Sequence, residues 1–420
     1  MLEPQSALVF LLLLSLYALA TRWLDTTERG WIKGLTGALA LVPAMLLGMA
    51  GLNCYYGYYQ DWGSLIRDLT GSAEPGVHML RDATPEVPLK RAFQPVLDAA
   101  VHNSATAVDG LRVLIRIHGD TSGLTRKVIL YLPPQYFQPA YSGTPFPVVE
   151  LLHGAPGDPR DWIDRLHVTE VLSRQVAVGT ATASVLVIPD TNGGTDSSLQ
   201  CLNTVNGPQD ESFLVQDLGT QISKALRVYP PGSHWALAGF SEGGYCSANL
   251  ALRHPDRFGA AAVMSGYFVP QRWVRLPGRA DPFDGDQYLR EDNAPLDLLR
   301  RSSGPATIPR MWIMTGSARA DDTHAAQQFM AVLRPHRPDA QLIQVRGGTH
   351  TFPAWRQALP AMLDWVTKTT GSSADPAPHA GRQGVNGAQS RSRAPARSSS
   401  PARPPTWRPC TGCSRFAATN

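Results

Sequence analysis

From residue 110 onward the chain repeats one pattern: a short apolar run, a turn signal, then a stretch with helical spacing. The runs are LRVLIRIHG, RKVILYLPP, PFPVVELLHG, ASVLVIPD, HWALAGF, GAAAVMSG, RMWIMTG and AQLIQVRG. Each is rich in apolar and β-branched residues and stops at a turn, as strands do. Between the later runs, Phe213–Val228, Gly243–Arg253, His324–Leu333 and Trp355–Thr367 have helical periodicity. Strands alternating with helices predict an α/β fold, a mostly parallel sheet covered by helices on both faces. The segment 110–370 is long enough for one large core.

One strand passes straight into a helix at HWALAGF-SEGGYCSANLALRHP, which puts Ser241 between Gly239 and Gly243 in the turn. G-x-S-x-G in that setting is the pattern of a nucleophile elbow. The glycines let the backbones of the turn come close, and the hydroxyl is lifted clear of the sheet. The helix N-terminus behind it favours developing negative charge. A serine in a turn needs no chemistry. The strand before it and the helix after it point Ser241 toward the role of nucleophile.

A nucleophilic serine needs a base, and in this chain order the base comes last, after the acid. His350 follows a late strand and a Gly-Gly turn in QLIQVRGGTHTFPAW, and it is the expected base. His153, His324 and His336 are better suited to packing, loop or site-shaping roles. The acid is expected in the loop after RMWIMTG, which reads SARADD. The usual position, about three residues past the glycine, holds Arg319. Asp321 and Asp322 come slightly later. Asp321 is the preferred partner of the histidine, because Asp322 is better placed to cap the following helix; the reverse assignment stays open. For the oxyanion, two backbone N–H donors are expected. One belongs to Glu242, after the nucleophile. The other belongs to Ala155 in LLHGAPGDPRDW, where Gly154 permits close approach.

The ends differ from the middle. Ala7–Ala20 is an uncharged apolar run, and Gly34–Tyr59 is a longer one ending in NCYYGYY. They predict two transmembrane helices, at about 7–24 and 34–56. A cleaved signal peptide is the alternative for the first, but its opening residues carry Glu3 and no basic side chain. Arg22, Arg29 and Lys33 between the runs place that loop in the cytoplasm and everything after Tyr59 outside. Residues 60–109 read as a linker with short helices. Residues 371–420 are rich in Arg, Pro and Ser and predict a disordered tail. That tail carries seven arginines and one acid, so the body is near neutral despite the chain's formal charge of +4. Nothing in that near-neutral body suggests a nucleic-acid footprint. Cys410 and Cys413 form a lone pair in the tail, without the second pair of a zinc site.

Together, LLHGAPGDPRDW, GFSEGGYCSANLALRHPDRFGAAAVMSG and GGTHTFPAWRQALPAMLDW resemble the esterase branch of the α/β-hydrolases. That branch includes esterase D-type enzymes, feruloyl esterases and secreted mycolyltransferases. The resemblance covers about residues 110–368, and the two-helix start is similar to membrane-anchored actinobacterial members. It implies Ser241 as nucleophile, His350 as base, and Ala155 and Glu242 as oxyanion donors; Arg319 departs from the pattern of the acid loop. Cys246 lies five residues past the nucleophile and Cys201 lies in a loop after a strand. Outside the membrane the two are free to form a disulfide shaping one wall of the site; two buried thiols are the alternative.

The expectation is therefore a membrane-anchored, extracytoplasmic serine esterase acting on small-molecule or lipid esters, without metal or organic cofactor. An acyltransferase using a sugar hydroxyl is the alternative within enzymes. A catalytically silent envelope-binding protein, favoured by the irregular acid loop, is the alternative outside them.

Overall fold

The structure is a computed structural model. It describes residues 7–26, 30–59, 61–70 and 77–371, with short breaks at 81, 85–86, 102, 195–197, 272–280, 303 and 305–307. Side chains at 7–10, 23–26, 30–40 and 104 lie outside the description. The chain divides into two compact units, residues 1–54 with 374–420, and Tyr55–Ser373.

The described part of the first unit consists of α1 (Ala7–Thr26) and most of α2 (Gly30–Tyr56). Among the described residues no helix is long and apolar enough to cross a membrane. The spans expected at 7–24 and 34–56 fall partly on side chains outside the description. The expected tail, 371–420, lies outside the described residues from 372 onward.

The second unit is built on nine strands: β1 (Val77–Met79), β2 (Leu111–His118), β3 (Thr125–Leu132), β4 (Val148–Leu152), β5 (Val185–Pro189), β6 (Gly232–Phe240), β7 (Phe258–Met264), β8 (Arg310–Gly316) and β9 (Gln341–Val345). Their order is β1-β2-β3-β5-β4-β6-β7-β8-β9. β3 runs antiparallel to β2 and β5, and the other pairings are parallel. Around the sheet lie α3 (Trp62–Thr70), α4 (Leu89–Val101), α5 (Ser104–Asp109), α6 (Val168–Ala177), α7 (Asp210–Ser212) and α8 (Gly219–Ala225). These are followed by α9 (Glu242–Arg253), α10 (Gln287–Asp292), α11 (Pro295–Arg301), α12 (Ala320–Leu333) and α13 (Phe352–Gly371).

The alternation of side chains along each strand feeds two cores. Val148, Leu152, Val185, Val187, Trp235 and Leu237 point to one face, where α4, α8, α9 and α12 cover them. Val149, Leu151, Leu186, Ile188, Ala236 and Phe240 point to the other, under α6 and α13. Every residue of β4 and β5 is buried, as a sheet covered on both faces requires.

The structure refines the predicted elements in three places. The segment read as a linker does more than connect: β1 extends the sheet by pairing with β2, and Phe93 of α4 is fully buried in the core. The predicted helix Phe213–Val228 is α8 preceded by a wider, π-helical stretch at Phe213–Leu218, and it stops at Ala225. The helix expected from His324 begins four residues earlier, at Ala320, so both aspartates of the acid loop fall in its first turn. Carboxylates are favoured at that end of a helix.

Candidate active site

β6 lies between β4 and β7 in the middle of the sheet, and its C-terminal end delivers Ser241 to the start of α9. The turn is tight enough that a Cβ on Gly239 would overlap the carbonyl of Gly243. Ser241 itself has φ 56° and ψ −120°. A side-chain-bearing residue in such a conformation costs on the order of 1–3 kcal/mol and persists only where neighbours fix it. Here they do. The Ser241 N–H donates to the Met264 carbonyl at 2.9 Å, and the Ser241 carbonyl accepts from the N–H groups of Gly244 and Tyr245 at 3.0 and 3.2 Å.

His350 stands in the turn between β9 and α13. Its Nε2 lies 2.8 Å from Ser241 Oγ, although 109 positions separate the two residues. Its Nδ1 lies 2.7 Å from Asp322 Oδ2. The edge of the His350 ring meets Trp355, with centroids 5.3 Å apart, and the Trp355 indole N–H donates to Ser265 Oγ at 3.1 Å. A hydroxyl, an imidazole and a carboxylate thus form one continuous relay, half-buried at the carboxyl end of the sheet.

The acid assignment needs correcting. The preferred Asp321 is exposed, while Asp322, expected to cap the helix, meets the imidazole. Neither aspartate is the cap: Arg319 occupies that position and makes no side-chain cap bond. With the helix starting at Ala320, one step along it turns the side chain by about 100°, so neighbours cannot face the same group. Arg319 stands where the usual acid was expected because here the carboxylate comes from within the helix.

The two expected oxyanion donors belong to segments adjoining the serine. A Cβ placed on Gly154 would sit 3.1 Å from Ser241 Cβ, so the loop carrying Ala155 passes directly beside Ser241. Glu242 begins α9, and its N–H is in the first turn, where a helix supplies no partner of its own. The side chain of Glu242 has a separate life. It is buried, accepts the Gln200 N–H at 3.2 Å, and forms a short contact with the Ser198 hydroxyl. Burial pushes its carboxyl up to about 7, against the lowering effect of those two donors.

Cys201 and Cys246 form a disulfide that ties the loop after β5 to α9. Gln200 and Cys201 both have positive φ, so this wall of the site is held in a conformation that side chains rarely adopt. Ser198, Gln200 and Ser265 were not visible as site residues in the sequence, whereas Trp355 stands in the same GGTHTFPAW stretch as His350. The contacts of those three are made with residues distant in the chain, Glu242 for Ser198 and Gln200 and Trp355 for Ser265.

Beside the loop that carries Gly154 and Ala155 is a cleft of about 600 Å³, lined among others by Tyr58, Tyr59, Asp68, Lys127, Pro156 and Arg160. Among the described residues no group of three His, Cys, Asp or Glu side chains is arranged to hold a metal ion.

Comparison with known proteins adds to this geometry. The family described as "Putative esterase" matches residues 120–366, more than half of the chain. An uncharacterized protein of Corynebacterium glutamicum is 26% identical over 256 residues, 60% of this chain and 59% of its own length. The MPT51/MPB51 antigen of Mycobacterium bovis is 44% identical over 62 residues, 15% of this chain and 20% of the antigen. The chain therefore spans only part of the curated relatives it matches. A solved ferulic acid esterase superposes with a TM-score of 0.53 at 23% identity, covering 61% of this chain and 98% of that one. An S-formylglutathione hydrolase from Agrobacterium tumefaciens gives 0.52 at 18% identity, covering 63% and 97%. At these identities the likeness to the solved structures is one of fold, that of the α/β-hydrolases.

Proposed function

Because this chain belongs to the esterase family that matches residues 120–366, we propose that it cleaves carboxylic esters through an acyl-enzyme on Ser241. The observation that carries this reading is the relay from Asp322 through His350 to Ser241, with contacts of 2.7 and 2.8 Å. In the first step His350 Nε2 accepts the hydroxyl proton as Ser241 Oγ attacks the ester carbonyl. The carbonyl oxygen becomes an oxyanion between the N–H groups of Ala155 and Glu242. Each such donor is worth about 3 kcal/mol in the transition state. The tetrahedral intermediate collapses, the ester C–O bond breaks, and the imidazolium returns its proton to the leaving alcohol. Water then repeats the sequence on the acyl-serine and releases the acid. Asp322 fixes the imidazole orientation and stabilises its positive form.

A second reading replaces the water of the last step with the hydroxyl of a sugar. What favours it is the cleft beside the oxyanion loop, where Tyr58, Tyr59, Asp68 and Arg160 offer hydrogen-bonding groups to a hydroxylated molecule. The silent-binder alternative loses its support, since the irregular acid loop does bring a carboxylate to His350.

The reading extends to location: an enzyme anchored in the cell membrane by its N-terminal helices, with the Tyr55–Ser373 unit outside. Its support is the uncharged run Gly34–Tyr59 and the outward-facing Leu11, Leu19, Met45, Met49 and Leu52 on α1 and α2. A disulfide at Cys201 and Cys246 suits an oxidising compartment. Product analysis tests the chemistry. Purified protein given a chromogenic short-chain ester should release free acid, with Ser241→Ala losing about a thousandfold or more in rate. Adding trehalose and finding acylated sugar in place of acid would favour transfer. No ester turnover by folded protein would overturn both.

A further inference from the structure

His153 has no part in the proton relay, yet it is fully buried at the end of β4, immediately before the oxyanion loop. Its Nδ1 lies 2.8 Å from the carbonyl oxygen of Gly154. At Nε2 the backbone N–H of Thr191 approaches at 3.1 Å, and the Thr191 hydroxyl at the same distance. A backbone N–H can only donate, so Nε2 is the acceptor and the ring proton sits on Nδ1. Nδ1–H therefore donates to the Gly154 carbonyl.

That carbonyl belongs to the same peptide group as the Ala155 N–H. In a trans peptide the two point in opposite directions from one rigid plane. Fixing the oxygen fixes the N–H. The plane is also held sterically: a Cβ on Gly157 would overlap the Gly154 oxygen, while a Cβ on Gly154 would press against Ser241 and the Phe240 ring. One edge of the peptide thus faces His153 and Gly157, and the other faces the nucleophile. We infer that His153 is the positioning residue of the oxyanion hole, holding the 154–155 peptide in the orientation that aims the Ala155 N–H at the substrate oxyanion.

The same loop braces both donors. Thr191 opens the segment after β5 and fixes the tautomer of His153, while Gln200, further along it, donates to the carboxyl of Glu242, the second donor residue. The Cys201–Cys246 disulfide anchors the far end of that loop.

The inference rests on the proposed nucleophile, and the experiment separates the two. His153→Leu fills the space without a donor. His153→Asn places an amide N–H close to the lost Nδ1–H. Ester hydrolysis and inhibition by an alkylboronic acid, which mimics the tetrahedral intermediate, are measured on both, with thermal melts to confirm folding. The Leu variant should lose about 30-fold or more in kcat, approaching the roughly 100-fold that removal of an oxyanion donor costs at least. KM should stay within about twofold, boronate Ki should rise in parallel with the loss of kcat, and Asn should recover most of that loss. If the Leu variant does not fold, Gly157→Ala is used, which should push the Gly154 carbonyl off His153 and give the same kcat-selective loss. An unchanged kcat in a folded Leu or Gly157→Ala variant, a loss confined to KM, or an Asn variant no better than Leu overturns the positioning role. Ser241→Ala is run alongside: activity surviving there overturns the nucleophile itself, whereas a dead Ser241→Ala with an undisturbed His153→Leu overturns only the inference.

Discussion

A helix advances its side chains by about 100° per residue, and that rotation separates the roles of two adjacent aspartates. Asp322 faces His350 and Asp321 faces solvent. Asp322→Asn should lower kcat by roughly a thousandfold or more, since the imidazolium loses its counter-charge and its fixed orientation. Asp321→Asn should stay within about twofold of wild type, the usual range for an exposed site away from the chemistry. Steady-state kinetics on the two variants checks this directly. Ser241 and His350 were readable in the sequence because each sits in a local pattern, G-x-S-x-G in one case and a Gly-Gly turn after a strand in the other. The acid was not, because the choice between neighbours depends on the residue at which α12 begins. Glu242 makes a different prediction. Its folded carboxyl is raised from 4.5 to about 7 by burial. The folded state therefore binds this proton more tightly than the unfolded chain does. Stability from this group is fully present below about pH 4.5, is lost as pH rises through 7, and changes little above that. A tenfold difference in proton affinity between the two states is worth about 1.4 kcal/mol, so the loss is on the order of 3 kcal/mol. Glu242→Gln should remove that slope, giving a flatter curve of melting temperature against pH between about 5 and 7.5 than wild type.

At the scale of elements, the walls of the site depend on connections that sequence patterns do not carry. The disulfide closes a loop of 45 positions between the segment after β5 and α9. Chain-entropy arguments give about 4 kcal/mol for a loop of that length. Replacing Cys201 and Cys246 by Ser should lower stability by about 2–4 kcal/mol in denaturant titration. It should reduce activity further, because Gln200 is then less firmly held against Glu242. A second connection joins the start of the catalytic unit to the histidine turn. Arg165 donates to the Tyr58 carbonyl at 2.9 Å, Arg356 donates to the Gly57 carbonyl at 2.6 Å, and the Tyr58 ring packs on Phe352, two residues past His350. Sequence periodicity held no sign of this contact, nor of β1 joining the sheet edge, because a three-residue strand has too few alternations to stand out. The central strands were legible for the opposite reason: buried on both faces, β4, β5 and β6 are apolar almost throughout.

At the scale of the whole molecule, Tyr55–Ser373 is one compact unit with its own two-sided core. A fragment of those residues should fold and turn over ester as the full chain does, with a single cooperative melt; a fragment that aggregates or lacks activity would place essential contacts in the remainder. In cell fractionation the full chain should follow the membrane and the fragment should not. The proposed chemistry, unlike the location, rests on one hydroxyl. Peptide mapping by mass spectrometry, after treatment of folded protein with a fluorophosphonate, reports on that hydroxyl itself. One adduct is expected, on Ser241, absent from Ser241→Ala and strongly slowed in His350→Ala. An adduct on another residue, or no adduct on protein whose melt shows it to be folded, would contradict it.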